Sequence, residues 1–298
     1  MVAHLGEMAA LGTAVCWTAT AMAFESAGRR VGSLAVNLIR LLGALALHAI
    51  LGMVRRGALV PVDAPVHAWT WLALSGLVGF CLGDLCLFRA FVVLGARLSV
   101  LMMALVPPIT ALTGWIVLGE RLSPRDWLGM GITLAGVAWV VLERGRTVTG
   151  GRRRHPVSGI LLGLGGAAGQ AIGLILSKYG MRGYDAFAST EIRVIAGVAG
   201  FSVLFLIAGW WPRVFSAFRD GTAMARTGLG AFFGPFLGVS LSLVAVQHTA
   251  SGVAATIMAL VPVLIIPPAV LIFKERISPR AIGGAALAVA GTVLLFLH

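Results

Sequence analysis

Charged residues are scarce in this chain: only 11% of its 298 residues are Asp, Glu, Lys or Arg. A soluble domain carries roughly a quarter, and a disordered chain needs a much lower hydrophobic content than the 59% found here. Both classes are therefore excluded. The apolar residues instead form continuous runs of about 20 residues, the length that a helix needs to cross a bilayer. Because apolar and polar residues do not alternate in these runs, they predict an all-α polytopic membrane protein and not a β-barrel.

Acidic residues are especially few, with 11 Asp and Glu against 23 Lys and Arg, which gives a formal charge of +12. The basic residues are scattered in the short gaps between apolar runs, which is typical of the positive-inside bias of membrane proteins. A nucleic-acid-binding face would cluster them and interleave aromatic residues. We therefore expect the lipid bilayer, and no nucleic acid, as a partner.

Cysteine and the motifs of catalysis are also sparse or missing. Cys16, Cys81 and Cys86 all fall within apolar runs, so they are interpreted as small buried hydrophobic residues and not as a disulfide set or a metal site. The glycine-rich segment 163–169 has the wrong spacing for a dinucleotide-binding loop, and no strand precedes it. No zinc-protease, phosphate-loop or nucleophilic-serine motif is found. We expect no enzymatic activity, no cofactor and no metal.

Ten apolar segments are predicted to span the membrane. They lie at about residues 5–25, 33–54, 68–90, 98–118, 126–143, 157–178, 188–210, 225–247, 252–273 and 280–297. Ser-Pro pairs at 123–124 and 278–279 place a capping hydroxyl before a proline of the first helical turn, which predicts helix starts there.

The sequence contains an internal repeat. Residues 83–143 align without a gap with 238–298, so that MALVP at 103–107 recurs at 258–262 and ER-x-SPR at 120–125 recurs at 275–280. Earlier in each half the offset is 153, which places Arg40 opposite Arg193 and Trp17 opposite Gln170. Shared apolar composition does not explain the polar match. The interpretation is a first repeat at 1–143, a basic linker at 144–156 and a second repeat at 157–298.

Each predicted repeat has five spans, and an odd number forces the second repeat to enter the membrane from the opposite side. The predicted fold is therefore ten transmembrane helices in two inverted five-helix repeats. Inverted repeats are typical of transporters, whose substrates bind near the midplane between the halves.

The chain resembles the EamA family of the drug/metabolite transporter superfamily. The resemblance rests on the two five-helix halves, the MALVP segment of the fourth helix, the ER-x-S loop and the glycine-marked fifth helix. Within that superfamily the chain is most similar to the bacterial aromatic amino-acid exporters of the YddG type. The resemblance covers essentially the whole chain. It implies a central cavity, export by alternating access and a multi-pass location in the bacterial inner membrane.

The first helix offers the principal candidate binding face. Thr13, Trp17 and Thr20 recur at spacings of four and three and so share one face of a helix. Their repeat counterparts include Gln170 and glycines, so one half offers an aromatic surface and the other an amide. We interpret Thr13, Trp17, Thr20 and Gln170 as substrate-binding residues for a zwitterionic, partly apolar ligand. Helix packing through small residues is the alternative.

Ionisable side chains within apolar runs are costly and need a partner or water. Asp84 is a candidate to receive an ammonium group or a proton, although structural pairing is an equal alternative, and the spacing to Arg89 does not indicate a direct pair. Arg40 and Arg193 are interpreted as structural charges because repeat-matched arginines commonly fix helix ends. Glu191 is expected to pair with Arg193.

Prolines in the fourth and ninth spans predict broken helices, because proline removes a backbone donor. Carbonyl groups freed in this way must face protein or a wet cavity, so broken helices indicate a transport site, with simple kinks as the alternative. The predicted hinge residues are Pro107, Pro108, Pro262 and Pro267. Nearby residues are assigned to the substrate site: the adaptable Met102, Met103 and Met258, and Ser242 as a wall hydroxyl.

The predicted function is export of amino acids, with aromatic and other apolar ones favoured. The alternative is a proton-coupled exporter of cationic drugs or other small metabolites, and a lipid-modifying enzyme or a scaffold is a third class. The orientation is ambiguous. The count of basic residues favours both termini outside, whereas the resemblance implies both inside.

Overall fold

The computed structural model describes residues 4–94, 96–144, 157–271 and 278–296. Within these ranges all regular secondary structure is helical. The α-helices are α1 (Leu5–Val31), α2 (Ser33–Arg56), α3 (Val66–Gly76), α4 (Asp84–Leu94), α5 (Ala96–Met103), α6 (Val106–Leu118), α7 (Pro124–Arg144), α8 (Val157–Met181), α9 (Ala186–Ile207), α10 (Trp211–Ala217), α11 (Gly221–Ala231), α12 (Val239–His248), α13 (Ser251–Met258), α14 (Val261–Leu264), α15 (Ile266–Leu271) and α16 (Pro279–Leu295). Two π-helical segments, Leu77–Gly83 and Phe232–Gly238, join α3 to α4 and α11 to α12. The predicted linker lies outside the described residues, apart from Arg144.

Eight helical segments are long and apolar enough to cross a membrane. They are Ser33–Arg56, Val66–Ala90, Ser99–Leu118, Pro124–Glu143, Val157–Met181, Ala186–Ile207, Gly221–His248 and Ser251–Leu271. The apolar helix Pro279–Leu295 is shorter, and α1 has 27 residues but is not apolar enough to count with the eight. The chain is thus a multi-pass helical membrane protein. The count of ten spans and the inversion of the second half stay predictions.

Several helices begin and end at residues suited to these positions. The side chains of Asp185, Asp220 and Ser278 each accept a hydrogen bond from the amide three residues later, at 2.8, 3.0 and 3.2 Å. The Ser-Pro pair at 278–279 therefore starts α16 in the predicted way. Gly119 ends α6 with φ of 68°, a left-handed conformation that glycine adopts without strain.

The two halves share their departures from α-helical geometry. The π-helical segments begin at Leu77 and Phe232, which are equivalent positions at the repeat offset of 155. The fourth span is broken between α5 and α6, and the ninth is broken at the equivalent point between α13 and α14. At each break the amides of Ala104 and Ala259 bond to carbonyls three residues back, which tightens the last turn. The repeat is therefore present in the backbone as well as in the sequence.

The first helix of each repeat packs against the third span of the other repeat. Helix α1 packs against α11, the second π-helical segment and α12, while α8 packs against α3, the first π-helical segment and α4. Helices α7 and α16 also pack together, at glycines too close for any side chain. A Cβ on Gly136 would lie 2.4 Å from a backbone nitrogen of α16, and a Cβ on the equivalent Gly291 would lie 2.4 Å from one of α7. The contacts between the halves are therefore reciprocal.

Candidate functional site

Trp17 lies on α1 against the π-helical segment of the other repeat. A Cβ on Gly238 would lie 2.9 Å from both Cδ1 and Nε1 of Trp17, so the missing side chain leaves the room that the indole occupies. Thr13 and Thr20 lie on the same side of α1, where their hydroxyls approach the carbonyl oxygens of Gly238 at 3.3 Å and Gly230 at 3.5 Å. Both threonines are buried, whereas Trp17 is half-buried. The predicted face of α1 thus meets the third span of the second repeat.

Gln170 lies in the equivalent place on α8. A Cβ on Gly83, the repeat counterpart of Gly238, would lie 3.4 Å from Gln170 Nε2. The Gln170 amide donates to Oδ1 of Asp84 at 2.9 Å and reaches the carbonyl of Gly79 at 3.3 Å. The first repeat therefore places the Trp17 indole against a glycine of the second repeat. The second repeat places the Gln170 amide against a glycine of the first repeat, where the amide also bonds to the buried carboxylate of Asp84.

Asp84 forms an ion pair with Arg40. The guanidinium donates from α2 to Oδ2 of Asp84, while Gln170 occupies Oδ1. The Asp84 side chain is 8% exposed and that of Arg40 is 17% exposed. Arg40 also lies over the Phe24 ring, with its Cζ 5.3 Å from the centroid. The partner of Asp84 therefore comes from another helix and is not Arg89, and both carboxylate oxygens are engaged.

The predicted pairing of Glu191 with Arg193 is wrong. Glu191 accepts from Nη2 of Arg56 at 2.5 Å, which joins the end of α2 to α9. The physical reason is helix geometry, because residues two apart on a helix point to different faces. Arg193 itself is buried, and its Cζ lies 5.0 Å from the centroid of the Phe80 ring.

The remaining candidate residues occupy different environments. Met102 and Met103 are half-buried, with Met102 packed against Gly163 of α8, whereas Met258 is buried in a hydrophobic cluster. Ser242 is buried and donates to the carbonyl of Val239 in its own helix at 2.7 Å. Whether these four side chains contact a substrate stays a prediction.

The four predicted hinge prolines lie in the first turns of the helices that follow the breaks. Pro107 and Pro108 are in the first turn of α6, Pro262 is in the first turn of α14, and Pro267 is the second residue of α15. In a first turn the missing amide is not needed for an intrahelical bond, so proline is tolerated there. Each break precedes its proline. A role of these breaks as hinges stays a prediction.

One polar cluster was missed by the sequence analysis. Glu120 follows α6, accepts from the backbone amide and hydroxyl of Ser251 at 2.8 Å, and pairs with Lys178 Nζ at 2.8 Å. Lys178 also donates to the carbonyl of Thr249 at 2.9 Å. The ER-x-SPR motif marked Glu120 as unusual, but its partners come from α8 and α13. The cluster ties the end of the fourth span to the second repeat.

Another ion pair lies between α1 and the start of α11, outside the apolar spans. Arg30 Nε donates to Oδ2 of Asp220 at 2.7 Å. Hydrogen bonds from Arg30 and from the backbone amide of Ala223 lower the pKa of the Asp220 carboxyl. Asp220 therefore keeps its negative charge, and its contact with Arg30, at pH values where an isolated aspartate is partly protonated.

Comparison with known proteins agrees with this architecture. The model of the EamA-like transporter family matches residues 4–142 and 157–297. A search of curated proteins finds no match to the sequence. One solved structure, described only as the crystal structure of a protein, is similar with a TM-score of 0.74 over 98% of this chain and 96% of that chain, at 21% identity. At this identity the likeness concerns the fold alone.

Proposed function

Because the chain belongs to the EamA-like transporter family, we propose that this membrane transporter exports amino acids by alternating access, with aromatic and other apolar side chains favoured. It acts in this proposal as a ten-helix, multi-pass protein of the bacterial inner membrane. The two repeats enclose the substrate between them, near the midplane, as is usual for transporters built from inverted repeats.

The observation that carries the proposal is the pair of equivalent contacts made by Trp17 and Gln170. Each side chain lies on the first helix of its own repeat and against a glycine of the third span in the other repeat. A relative movement of the halves therefore changes both contacts together. Alternating access requires such coupling of the binding residues to the movement of the repeats.

The chemistry of these residues suits an amphipathic ligand. The half-buried indole of Trp17 offers an apolar, flat surface on which an aromatic or aliphatic side chain can pack. The Gln170 amide and the ion pair behind it offer polar contacts for the charged end of an amino acid. This combination supports amino acids better than purely apolar or purely ionic substrates.

Proton-coupled export of cationic drugs is the second candidate, because Asp84 is a carboxylate within an apolar span. A proton-coupled or cation-binding carboxylate must give up its partner during the cycle. Arg40 already neutralises Asp84, which favours amino-acid export over this alternative.

The proposal is tested by flux in proteoliposomes. Purified protein is tested with labelled amino acids and with labelled organic cations, with and without a pH gradient. We expect flux of aromatic amino acids that falls at least tenfold in Trp17→Ala and in Gln170→Ala, while thermal unfolding shows both variants folded. Trp115→Ala is the matched control, because Trp115 is 57% exposed on α6.

Two results would reject the proposal. Wild-type flux in both the Trp17 and Gln170 variants would exclude the site. Transport of cations but not of amino acids, together with proton movement that is lost in Asp84→Asn, would favour the drug exporter instead.

A further inference from the structure

Arg193 is a buried cation without an ionic partner in the described part of the chain. The residue is 5% exposed, and its Nε has no hydrogen-bond partner. Its described neighbour is the ring of Phe80, which lies under the guanidinium at 5.0 Å. A buried, unpaired charge in an apolar span is costly and is normally compensated by a counter-ion or by water.

The repeat explains why the partner is missing. Arg40, the counterpart of Arg193, is neutralised by Asp84, but the position equivalent to Asp84 in the second half is Val239. The chain has 11 acidic residues, and all except Glu275 lie in the described ranges. Within those ranges no carboxylate pairs with Arg193. Within the described residues, the second repeat therefore keeps the cation of the pair and lacks the anion.

The unpaired guanidinium borders the candidate site. Arg193 Nη2 lies 3.5 Å from the point where a Cβ on Gly79 would be, and the carbonyl of the same Gly79 is approached by the Gln170 amide at 3.3 Å. Gly79 belongs to the first π-helical segment, which also packs against α8. Arg193 and Gln170 thus approach one glycine from two helices of the second repeat.

We propose that Arg193 binds the carboxylate of the transported amino acid, so that the substrate supplies the anion that the second repeat lacks. This inference rests on the proposed function and deepens it, because it specifies a carboxylate-bearing substrate. Arginine suits the role, since its planar guanidinium can donate two parallel hydrogen bonds to one carboxylate. The Phe80 ring supports the guanidinium plane from one side.

The test compares binding of tryptophan with binding of tryptamine, which lacks the carboxylate, to the purified full-length protein. We expect the wild type to bind tryptophan at least about tenfold more tightly than tryptamine, as loss of charge-assisted hydrogen bonds implies. In Arg193→Gln the ratio of tryptophan to tryptamine affinity should fall to about one. Arg193→Lys should restore part of this ratio, because lysine returns the positive charge but not the planar guanidinium. A wild-type ratio in Arg193→Gln would overturn the proposal.

Arg213→Gln is the matched control. Arg213 also lies over an aromatic ring, with Cζ 5.5 Å from the Trp210 centroid, but its side chain is exposed. We expect its tryptophan-to-tryptamine ratio to equal that of the wild type. An equal fall in the ratio for both arginine variants would count against a specific role of Arg193.

A second variant keeps the proposal testable if Arg193→Gln does not fold. Gly79→Ala adds a methyl group 3.5 Å from Arg193 Nη2 and no closer than that to other atoms, so the added carbon fits and covers the guanidinium without changing the charge. The ratio of tryptophan to tryptamine affinity should fall in this variant. An unchanged ratio in Gly79→Ala would also contradict the proposal.

A third measurement separates this inference from the proposed function. Indole-3-acetate, a carboxylate without an ammonium group, is tested for protection of the wild type and of Arg193→Gln against thermal unfolding. If it protects only the wild type while no amino acid binds or is transported, the anion site stands and amino-acid export fails. Equal protection of both proteins, or protection of the wild type by chloride as strong as by indole-3-acetate, would reject Arg193 as a carboxylate site.

Discussion

Arg40 on α2 and Asp84 at the start of α4 form an ion pair that only the first repeat can make. Their equivalents in the second repeat are Arg193 and Val239, an arginine and an apolar residue. The backbone of the two halves is closely matched, including the π-helical segments and the helix breaks. At the candidate site the halves therefore differ in the side chain that faces the repeat-matched arginine.

Removal of one partner of this pair is expected to destabilise the protein. Asp84→Asn leaves the Arg40 guanidinium buried without its counter-ion, and such a change typically costs about 3–5 kcal/mol. The measurement is the free energy of unfolding in detergent. Glu25→Gln is the control, because Glu25 pairs with Arg29 on the surface, where its side chain is 63% exposed; exposed pairs contribute about 1 kcal/mol or less. Equal losses in the two variants would contradict a buried, stabilising pair.

The broad fold could be predicted from the sequence because hydrophobic length and repetition are local signals. In the part of the chain that the structure describes, each predicted span lies mostly on helix, and the equivalence of Trp17 and Gln170 follows from alignment alone. The partners of Asp84, Glu120 and Glu191 could not be predicted, because each lies on a different helix and no spacing in the chain encodes which helices touch.

Helix ends and irregularities were harder to predict than helix positions. The first helix extends to Val31, six residues beyond the predicted end. The prediction followed the apolar run, whereas the helix continues through the polar residues Arg29 and Arg30. The first π-helical segment has no residue that distinguishes it from the α-helix around it, whereas Pro235 lies within the second. Gly79 and Gly83 of the first segment pack closely against α8, and this tertiary contact is not encoded in the local sequence.

The glycine that faces Trp17 is expected to be essential for transport. In Gly238→Ala the new methyl group would lie 2.7 Å from the carbonyl oxygen of Phe233 and 2.9 Å from Trp17, so the backbone of the π-helical segment and the indole must both shift. We expect a large fall in amino-acid flux and a shift in tryptophan fluorescence. Gly83→Ala is the matched change in the other repeat, where the nearest Gln170 atom is 3.4 Å away, and it should have a smaller effect. Equal activity in both variants would argue against Trp17 as a substrate contact.

The contact between α7 and α16 should tolerate no side chain at its centre. Gly136→Ala places a carbon 2.4 Å from a backbone nitrogen of α16, so the helices must separate and the yield of folded protein should fall sharply. Gly131→Ala on the same helix meets no atom within 4 Å, and alanine favours helix over glycine by about 0.5–1 kcal/mol. We therefore expect Gly131→Ala to raise the thermal unfolding temperature slightly. A fall in stability for Gly136→Ala together with a rise for Gly131→Ala would support this packing. A change of stability in the same direction for both variants would contradict it.

The orientation in the membrane decides whether transport by the proposed site is export. The ion pairs Arg56–Glu191 and Lys178–Glu120 lie where α2, α6 and α8 end, and α1 begins on that same side if successive spans alternate in direction. Loops on this side carry fewer basic residues than those on the other side, which includes the arginine-rich segment 144–156. The positive-inside rule then places both termini outside.

Reporter fusions at the carboxyl terminus test this orientation. A fluorescent protein fused after residue 298 becomes fluorescent only in the cytoplasm, so we expect this fusion to stay dark. An alkaline phosphatase fused at the same place should be active. A bright fluorescent fusion with an inactive phosphatase fusion would place both termini inside and reverse this orientation.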